Sequence, residues 1–376
     1  MKRDPYLVIE WSDRKSDARG WLVVDSIADE KSAGGLRMSP TVNRTEVERL
    51  AQVMTYKYVA AEAVSGGSKA GIVYDCHKED HLDVLRRFLE AMRPYTREGV
   101  TIGADLGTNP DDIRAIKKEL GIEDRLAKSV RDNPERAKKA NEDLAKLAKE
   151  TVDGLSMDRL VTGFGVAQAA DQAWKKINGA QGAKVSIQGF GSVGGSCARY
   201  LQKMGYKVVA ISDINGMYYN EDGLDIQDLL DARNLLGEVD VSKMKKPCEV
   251  RNRDEWLGLD VDIVIPAAVE DIINKDTART VKASLIVEGA NIPTTEEADV
   301  ILHEMGVHIV PDFIANQGSI CYFTSIQNAK CEATPEGVME RLSDVIRRGV
   351  DKTFDYAQKN AVTEREAAWT IFKANN

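Results

Sequence analysis

The chain has 376 residues, of which 43% are hydrophobic, and this length is enough for two ordinary hydrophobic cores. A formal net charge of −9 argues against a nucleic-acid or anionic-membrane binder, because such proteins need a basic face. The composition therefore favours a small-molecule partner. No apolar run approaches the roughly 18 residues that span a bilayer, and the five cysteines lack metal-ligand spacing. These features predict a cytoplasmic protein with reduced cysteines and no metal site.

The first third of the chain reads as mixed α/β. Apolar segments at 21–28 and 70–75 predict strands, and apolar residues at helical spacing predict a helix over about 44–63. That spacing places Lys57 on or beside the buried stripe, whereas Lys69 lies in a Gly-Gly-Ser-Lys-Ala-Gly stretch that predicts a loop. Lysines among small and apolar residues either extend their ammonium groups to water or serve anion binding and proton chemistry.

Residues 123–150 are highly charged and predict a surface helical hairpin that is broken near Pro134. The composition then changes to strand, glycine turn, helix and strand, followed by three short apolar strands near 261–269, 283–290 and 307–316. This order is typical of a parallel, doubly wound sheet. From about Cys331 onward the pattern is helical, so the fold class is α/β, with a Rossmann-like dinucleotide-binding domain after a mixed α/β domain.

The segment after the strand Lys-Val-Ser-Ile fits a dinucleotide site. Glycines 189, 191 and 194 form Gly-x-Gly-x-x-Gly, with Ser192 and Val193 between the last two, at the start of a predicted helix. Glycines there allow a tight turn and close approach of a pyrophosphate to the helix N-terminus. Asp213 ends the next strand, where a carboxylate can accept hydrogen bonds from the ribose hydroxyls and repel a 2′-phosphate. The pattern favours NAD over NADP and leaves use of NADP open.

Together these motifs are similar to those of the glutamate/leucine/phenylalanine/valine dehydrogenase family. The similarity follows family order along nearly the whole chain, through the segments GGLRMSP, MTYK, GGSKAGI, ADLGTNPDDI, VTGFGV, GFGSVG, SDINGMYYNEDGLD, PAAVEDII, EGANIPTT, PDFIANQGSI and REAAW. It implies a substrate and oligomerisation domain over 1–150, completed by helices at 331–376, and an NAD(P)-binding Rossmann domain over 155–330. It also implies a homo-oligomer that oxidatively deaminates an L-amino acid to a 2-oxo acid and ammonia.

The resemblance assigns roles to individual positions. Lys57 would hold the substrate α-carboxylate, Lys69 would polarise the catalytic water and keto oxygen, and Asp105 would carry protons to and from the amino group. These roles agree with the chemistry of the side chains, since a lysine in a water-poor site and a neighbouring carboxylate can both transfer protons. Three further residues match family positions near the cofactor: Thr162, Asn291 and Asn316. Gly34 and Gly35 either let the backbone approach the substrate or form a plain turn.

The sequence departs from the family pattern where substrate choice is decided. Ala33 precedes Gly34 and Gly35, at the position where glutamate-specific members resemble one another in having a lysine for the side-chain carboxylate. Burying a carboxylate without a cation costs several kcal/mol. We therefore expect an apolar amino acid as substrate, with glutamate as the alternative if Arg37 or a residue within 317–327 supplies the missing charge.

Two other classes of protein stay open. One is a catalytically silent relative that binds nucleotide as a regulatory subunit, although the presence of Lys57, Lys69 and Asp105 together speaks against it. The other is a Rossmann oxidoreductase acting on hydroxy acids, which would need a histidine or arginine centre. None of the four histidines lies in a matching motif.

Overall fold

The computed structural model describes residues 4–234 and 237–373. These residues form two compact units, which divide between Asn141 and Glu142. In the described part of the chain, no helix has the length and apolar character that a membrane span requires. Each unit is described separately below.

The first unit contains a five-stranded mixed sheet in the order β1-β2-β4-β3-β5. Strand β4 is antiparallel to β2 and parallel to β3, and β3 is parallel to β5. Its elements are β1 (Leu7–Ser12), β2 (Arg19–Val24), β3 (Ser32–Ser39), α1 (Arg44–Ala60), β4 (Gly66–Val73), α2 (His81–Arg97), β5 (Val100–Ala104), α3 (Pro110–Leu120), α4 (Lys128–Arg131) and α5 (Pro134–Leu147). Helix α5 continues past the division into the second unit.

The two faces of this sheet are covered by different helices. On one face Ala70 and Ile72 of β4 belong to a core with Phe88 and Leu89 of α2. The opposite face carries α1, whose Val47 and Ala51 pack with Val23 of β2. Side chains alternate along a strand, so the odd-numbered residues of β4 face α1.

The charged segment that predicted a surface hairpin contains only the short helix α4 before α5, and α5 begins at Pro134. The break at this proline is as predicted, because proline fits the first turn of a helix and not its interior. The hairpin itself is therefore replaced by one helical turn and one longer helix.

The second unit contains a small hairpin and a seven-stranded sheet with helices. Its elements are β6 (Thr151–Val152), β7 (Leu155–Ser156), α6 (Met157–Lys176), β8 (Lys184–Gln188), α7 (Ser192–Lys203), β9 (Lys207–Ser212), β10 (Met217–Tyr219), α8 (Ile226–Ala232), β11 (Glu249–Arg251), β12 (Ile263–Pro266), β13 (Leu285–Val287), α9 (Glu296–Glu304), β14 (His308–Val310), α10 (Asp312–Ala315), α11 (Gly318–Gln327), α12 (Pro335–Asn360) and α13 (Glu364–Ile371). Short 3₁₀ helices lie at Val241–Lys243, Arg253–Leu257 and Ala278–Thr280.

The order of the large sheet is β11-β10-β9-β8-β12-β13-β14. The five strands from β9 to β14 are parallel, and β10 and β11 extend the β9 edge in antiparallel pairing. Helices α6 and α7 pack against strands of this sheet, and α9 contributes Ala298 and Leu302 to a core with Val264 and Ile286. The α/β class with a Rossmann-like sheet is confirmed, with an antiparallel edge that the sequence pattern did not indicate.

The C-terminal helices differ from the prediction. Residues 331–376 were expected to complete the first domain, but the described part, 331–373, belongs to the second unit. The apolar face of α12 packs on α6, and Arg347 of α12 hydrogen-bonds Gln168 and Asp171 of that helix. This burial and these bonds explain the placement. The limits 1–150 and 155–330 remain a proposal about how the chain folds as domains.

Candidate active site

Lys69 lies within strand β4, and the predicted glycine loop around it is wrong. The neighbouring glycines serve close packing: a Cβ at Gly67 would fall 2.2 Å from the Thr55 nitrogen, and one at Gly71 would fall 2.5 Å from Val47. Both contacts are with α1, which therefore lies directly on this strand. Lys69 is the residue between these glycines on the same face, and only 3% of its side chain is exposed.

Lys69 begins a chain of charged groups in the first unit. Its ammonium nitrogen lies 3.1 Å from Asp105, which directly follows β5. The second oxygen of Asp105 accepts a hydrogen bond of 2.9 Å from Arg37 Nε, and Arg37 also donates to Glu46 at 2.7 Å. Two cations and two carboxylates thus alternate, which balances buried charge.

The charge of Asp105 is set by its neighbours. Burial opposes ionisation of this carboxyl, but the positive charges of Lys69 and Arg37 outweigh burial and hold the pKa of Asp105 well below its usual range. The loop also fixes its position, because the Asp105 N–H donates to Thr108 Oγ1 and that hydroxyl donates to the Leu36 carbonyl. A buried, ionised carboxylate beside an ammonium group can accept and return a proton.

The other proposed substrate residues lie in the same unit. Lys57 is a buried residue of α1, the helix that covers the Lys69 face of the sheet. Ala33 pairs with Gly67 on β4 and Thr101 on β5, and it is 5% exposed. Gly34 and Gly35 belong to β3, so reading them as a turn is wrong.

Those two glycines are required by neighbouring backbone. A Cβ at Gly34 would fall 1.6 Å from the Ser68 carbonyl oxygen, and one at Gly35 would fall 2.9 Å from the Asp105 Cβ. Such distances are shorter than real side-chain contacts, so the strands must have glycine here. The glycine pair therefore lets β4 and the residue after β5 approach β3.

The glycine turn of the second unit follows β8 and leads into α7, as the motif predicts. Gly189 has a φ of +90°, and a Cβ at Gly194 would fall 1.9 Å from the Gly189 carbonyl oxygen. A Cβ at Gly191 would meet no atom within 4 Å. Ser192 and Val193 form the first turn of α7. An open position at the second glycine, beside a helix N-terminus, fits a pyrophosphate.

Asp213 directly follows β9, adjacent to β8 and to the glycine turn. One of its carboxylate oxygens accepts hydrogen bonds from the backbone of Asn215 and Gly216, at 2.7 and 3.1 Å. The other oxygen accepts from the Tyr218 hydroxyl at 3.0 Å and from the Val239 N–H at 2.7 Å. The position is as predicted, but protein donors already fill both oxygens.

Thr162, Asn291 and Asn316 also lie in the second unit. The Asn316 amide nitrogen donates to the carbonyls of Gly289 and Ala290 and lies 3.2 Å from Asn291 Oδ1. Its own oxygen is buried without a partner among the described residues, and is suited to accept from a ligand amide. The Thr162 hydroxyl lies 2.9 Å from that of Ser319.

A buried ion network supports the loop that carries Asn291. Arg365 of α13 donates to both oxygens of Glu288, at 2.7 and 3.2 Å, and to Asp299 at 2.9 Å. Glu288 follows β13 and accepts from the Asp312 N–H at 2.9 Å. Burial raises the pKa of Glu288, and Arg365 acts in the opposite direction. The network ties α13 to the ends of β13 and β14.

The structure thus groups the predicted residues in two sets. Lys57, Lys69, Asp105 and the Ala33–Gly35 segment lie in the first unit, and the cofactor candidates lie in the second. Glu46 was not predicted as part of the first set, and Arg37 was considered only as a cation for a substrate carboxylate and not as a partner of Asp105. Strand alternation could have found Arg37, because it lies two residues from Gly35 on one strand.

Comparison with known proteins gives this arrangement a family. A family model described as Glutamate/Leucine/Phenylalanine/Valine dehydrogenase matches residues 154–373. A second, described as Glu/Leu/Phe/Val dehydrogenase, dimerisation domain, matches residues 7–121. The chain belongs to the glutamate/leucine/phenylalanine/valine dehydrogenase family. It is accordingly an NAD(P)-dependent amino acid dehydrogenase, and NAD is its expected cofactor with NADP possible.

Relatives of this dehydrogenase differ in cofactor. The NADP-specific glutamate dehydrogenase of Saccharolobus shibatae is 36% identical over 308 residues, which cover 80% of this chain and 69% of that protein. The NAD-specific glutamate dehydrogenase of Staphylococcus aureus is 35% identical over 349 residues, 90% of this chain and 80% of that one. The hetero-hexameric glutamate dehydrogenase of Thermus thermophilus, in its Leu-bound form, has a similar fold, with a TM-score of 0.77 at 24% identity, covering 98% of this chain and 87% of that one.

Proposed function

We propose that this dehydrogenase catalyses the reversible, NAD-dependent oxidative deamination of an L-amino acid to the 2-oxo acid and ammonia. The observation that carries the proposal is the buried contact of 3.1 Å between Lys69 and Asp105. In this proposal Lys57 binds the substrate α-carboxylate, because a buried ammonium group is matched to a carboxylate.

Bound NAD would accept the hydride from the substrate Cα. Asp105, kept ionised by Lys69 and Arg37, takes a proton from the substrate amino group, which leaves an imino acid. Water then adds to the imino carbon, and Lys69 stabilises the oxygen as negative charge develops on it. Asp105 returns its proton to nitrogen, the C–N bond breaks, and both protons of the added water pass to solvent, which yields ammonia and the 2-oxo acid.

The cofactor set supports NAD binding through Gly189, Gly191, Ser192, Val193 and Gly194. The open side of Gly191 and the unpartnered oxygen of Asn316 suit a pyrophosphate and a carboxamide respectively. Asp213 supplies negative charge at the end of β9, which supports the choice of NAD.

The substrate side chain is proposed to be apolar. Ala33 brings no charge to the face of the sheet that carries Lys69, and Arg37 is already paired with Asp105 and Glu46. The stretch 317–327 contains no lysine or arginine, so it cannot supply the missing cation. Each buried CH₂ of an apolar substrate would contribute about 0.8 kcal/mol.

Glutamate is the second candidate. The relatives at 35% and 36% identity are named glutamate dehydrogenases, and this naming supports glutamate, whereas Ala33 supports an apolar side chain. The two candidates differ by one carboxylate, so a direct comparison separates them.

The test is steady-state kcat/KM for glutamate, leucine, valine, phenylalanine and tryptophan, with NAD and with NADP. We expect an apolar amino acid to lead, and Ala33→Lys to raise kcat/KM for glutamate while lowering it for the apolar substrate. A tenfold lead for glutamate in the wild-type protein would contradict the apolar proposal. NADH binding without turnover of any amino acid would favour the catalytically silent relative.

We further propose a homo-oligomer in the cytoplasm. The match of residues 7–121 to a domain described as a dimerisation domain supports self-association, and the odd number of scattered cysteines agrees with a reducing compartment. Light scattering of the purified chain alone tests the first point, since a monomer at micromolar concentration would contradict it.

A further inference from the structure

Arg233 and Gly237 contact the glycine turn of the second unit. Arg233 Nη1 donates hydrogen bonds to the carbonyls of Phe190 and Gly191, at 2.7 and 2.8 Å. A Cβ at Gly237 would fall 2.6 Å from the Gly191 nitrogen. An antiparallel bridge pairs Arg233 with Val239. Arg233 and Gly237 therefore contact the residues that would hold a pyrophosphate.

Val239, the bridge partner of Arg233, contacts Asp213. The Val239 N–H donates to Asp213 Oδ2 at 2.7 Å, and Tyr218 donates to the same oxygen. With Asn215 and Gly216 on Oδ1, the carboxylate accepts four hydrogen bonds from the protein. A carboxylate offers about four acceptor positions, so a ribose hydroxyl must displace a donor to bond Asp213. Asp213 can still repel a phosphate through its charge.

Glu238 lies between these two contacts. The residue before it touches the glycine turn, and the residue after it bonds Asp213. The adenosine ribose of a dinucleotide sits between the pyrophosphate and the carboxylate that ends the second strand of a Rossmann unit. A ribose bound in this way would therefore lie near Glu238, which is partly exposed.

The side chain of Glu238 is held in place. Its Oε2 accepts a hydrogen bond of 2.8 Å from the Asn234 amide, and its N–H donates to Asn234 Oδ1 at 3.0 Å. Burial raises the pKa of the Tyr218 phenol, as do the charges of Asp213 and, more weakly, Glu238. The negative charges of Asp213 and Glu238 are thus both felt at the Tyr218 hydroxyl.

We propose that Glu238 determines cofactor specificity together with Asp213, by opposing the 2′-phosphate of NADP. A phosphomonoester carries about −1.5 to −2 charges at pH 7, so a second carboxylate beside Asp213 increases the repulsion. In this proposal Asp213 holds Val239 through a hydrogen bond and also repels the phosphate, and Glu238 adds a second negative charge that repels it. This inference rests on the dinucleotide site of the proposed function.

The test compares Glu238→Gln with Glu221→Gln in the 376-residue chain. Glutamine keeps an acceptor for Asn234 and removes only the charge. Glu221 is 72% exposed and bonds Lys184 at the start of β8, whereas the glycine turn follows the end of that strand. The two variants therefore remove the same charge from the same unit. Glu238→Gln removes it near the expected ribose, and Glu221→Gln removes it at the opposite end of β8.

The measurement is the dissociation constants of NADH and NADPH, from the fluorescence of the bound nicotinamide. The two ligands differ only in the 2′-phosphate, so the ratio of their constants isolates its repulsion. We expect the wild-type protein to prefer NADH, and Glu238→Gln to reduce this preference on the order of tenfold, which is about 1.4 kcal/mol, because one of two like charges that oppose the phosphate is removed. Glu221→Gln should change the ratio less than about twofold, because an exposed charge is screened.

An unchanged ratio in Glu238→Gln, an equal change in Glu221→Gln, or a wild-type preference for NADPH would each overturn the inference. Binding requires no turnover, so a protein that binds NADH but oxidises no amino acid would refute the proposed activity without affecting this test. A protein that turns over amino acids with an unaltered ratio in Glu238→Gln would refute only the role of Glu238.

Discussion

The Lys69 ammonium reaches Asp105 across a strand that lies between them. Lys69 is on β4 and Asp105 follows β5, and β3 separates these strands in the sheet. The β3 residue beside this contact is Gly35, where a Cβ would fall 2.9 Å from the Asp105 Cβ. The 3.1 Å contact therefore depends on a residue that has no side chain.

Removing either partner of this contact should abolish turnover without preventing cofactor binding. We expect Lys69→Ala or Asp105→Asn to lower kcat by about 10²- to 10⁴-fold, since each removes a proton-transferring group. NADH affinity should persist, because the cofactor candidates lie in the other unit. Lys117→Ala is the matched control: Lys117 is 7% exposed and contacts Asp124 at 2.6 Å, outside the site. Comparable turnover in either site variant would refute the mechanism.

Gly35→Ala should also lower kcat, although Lys69 and Asp105 are both still present. The added methyl group must displace Asp105 or the Ala104 carbonyl, which it would approach at 2.6 Å. A misplaced catalytic group can cost on the order of 10²-fold in rate. Gly103→Ala is the control on the paired strand, because its Cβ would meet only the Gly34 carbonyl at 3.7 Å. Equal activities of the two variants, measured as kcat, would contradict this role for Gly35.

Arg37 should help to determine the pH below which kcat/KM falls. Burial opposes ionisation of Asp105, and Lys69 and Arg37 lower its pKa; the carboxylate thus stays ionised until the pH falls below its usual range. Arg37→Met removes one of the two cations, so the pKa of Asp105 rises and the acid limb of kcat/KM should move upward by about one pH unit or more. Glu46→Gln leaves Arg37 beside Asp105 and should leave the limb in place. A pH profile of Arg37→Met that matches the wild type would argue against this coupling.

Asp213→Ala should reduce the difference in affinity between NADH and NADPH. The change removes a charge that opposes a 2′-phosphate, and it also releases Val239, so NADH affinity should fall while NADPH affinity falls less or rises. Titration of both nucleotides by fluorescence measures the effect. Equal losses for both nucleotides would show that Asp213 acts only as an anchor.

Removing Arg365 alone from its ion network should strongly lower the free energy of unfolding. Arg365→Met leaves Glu288 and Asp299 buried without their cation, and we expect the free energy of unfolding to fall by about 3–5 kcal/mol. Adding Glu288→Gln removes one of the stranded charges, so the double variant should be more stable than Arg365→Met. Urea denaturation of the set gives the coupling, and strictly additive losses would contradict a shared network.

The sequence predicted the local structure of the glycine turn better than that of the segment around Lys69. Gly189, Gly191, Gly194 and Asp213 lie at the predicted ends of parallel strands, because that motif encodes a local strand, turn and helix. Lys69 was expected in a loop, since two adjacent glycines are rare in strands. Glycine is needed at Gly67 and Gly71 because α1 packs closely on this strand, and a local sequence pattern does not reveal that contact.

Two further features depend on contacts between distant residues. The periodicity of α12 shows that one face is apolar, but not that this face meets α6 of the second unit. Likewise Gly237 appears in sequence as an ordinary turn glycine, and only the structure shows it against Gly191. Such partners could not be deduced from spacing, because local pattern does not specify which surfaces meet.

The ion network of α13 has a consequence for the order in which the protein matures. Glu288 precedes Arg365 by 77 residues, so the carboxylate leaves the ribosome well before the guanidinium that neutralises it. At 5–20 residues per second that interval lasts roughly 4–15 seconds. During it, the nascent sheet can close over Glu288 only by burying an unpaired charge or by protonating it. Docking of α13 thus supplies the guanidinium that balances the buried carboxylate of Glu288.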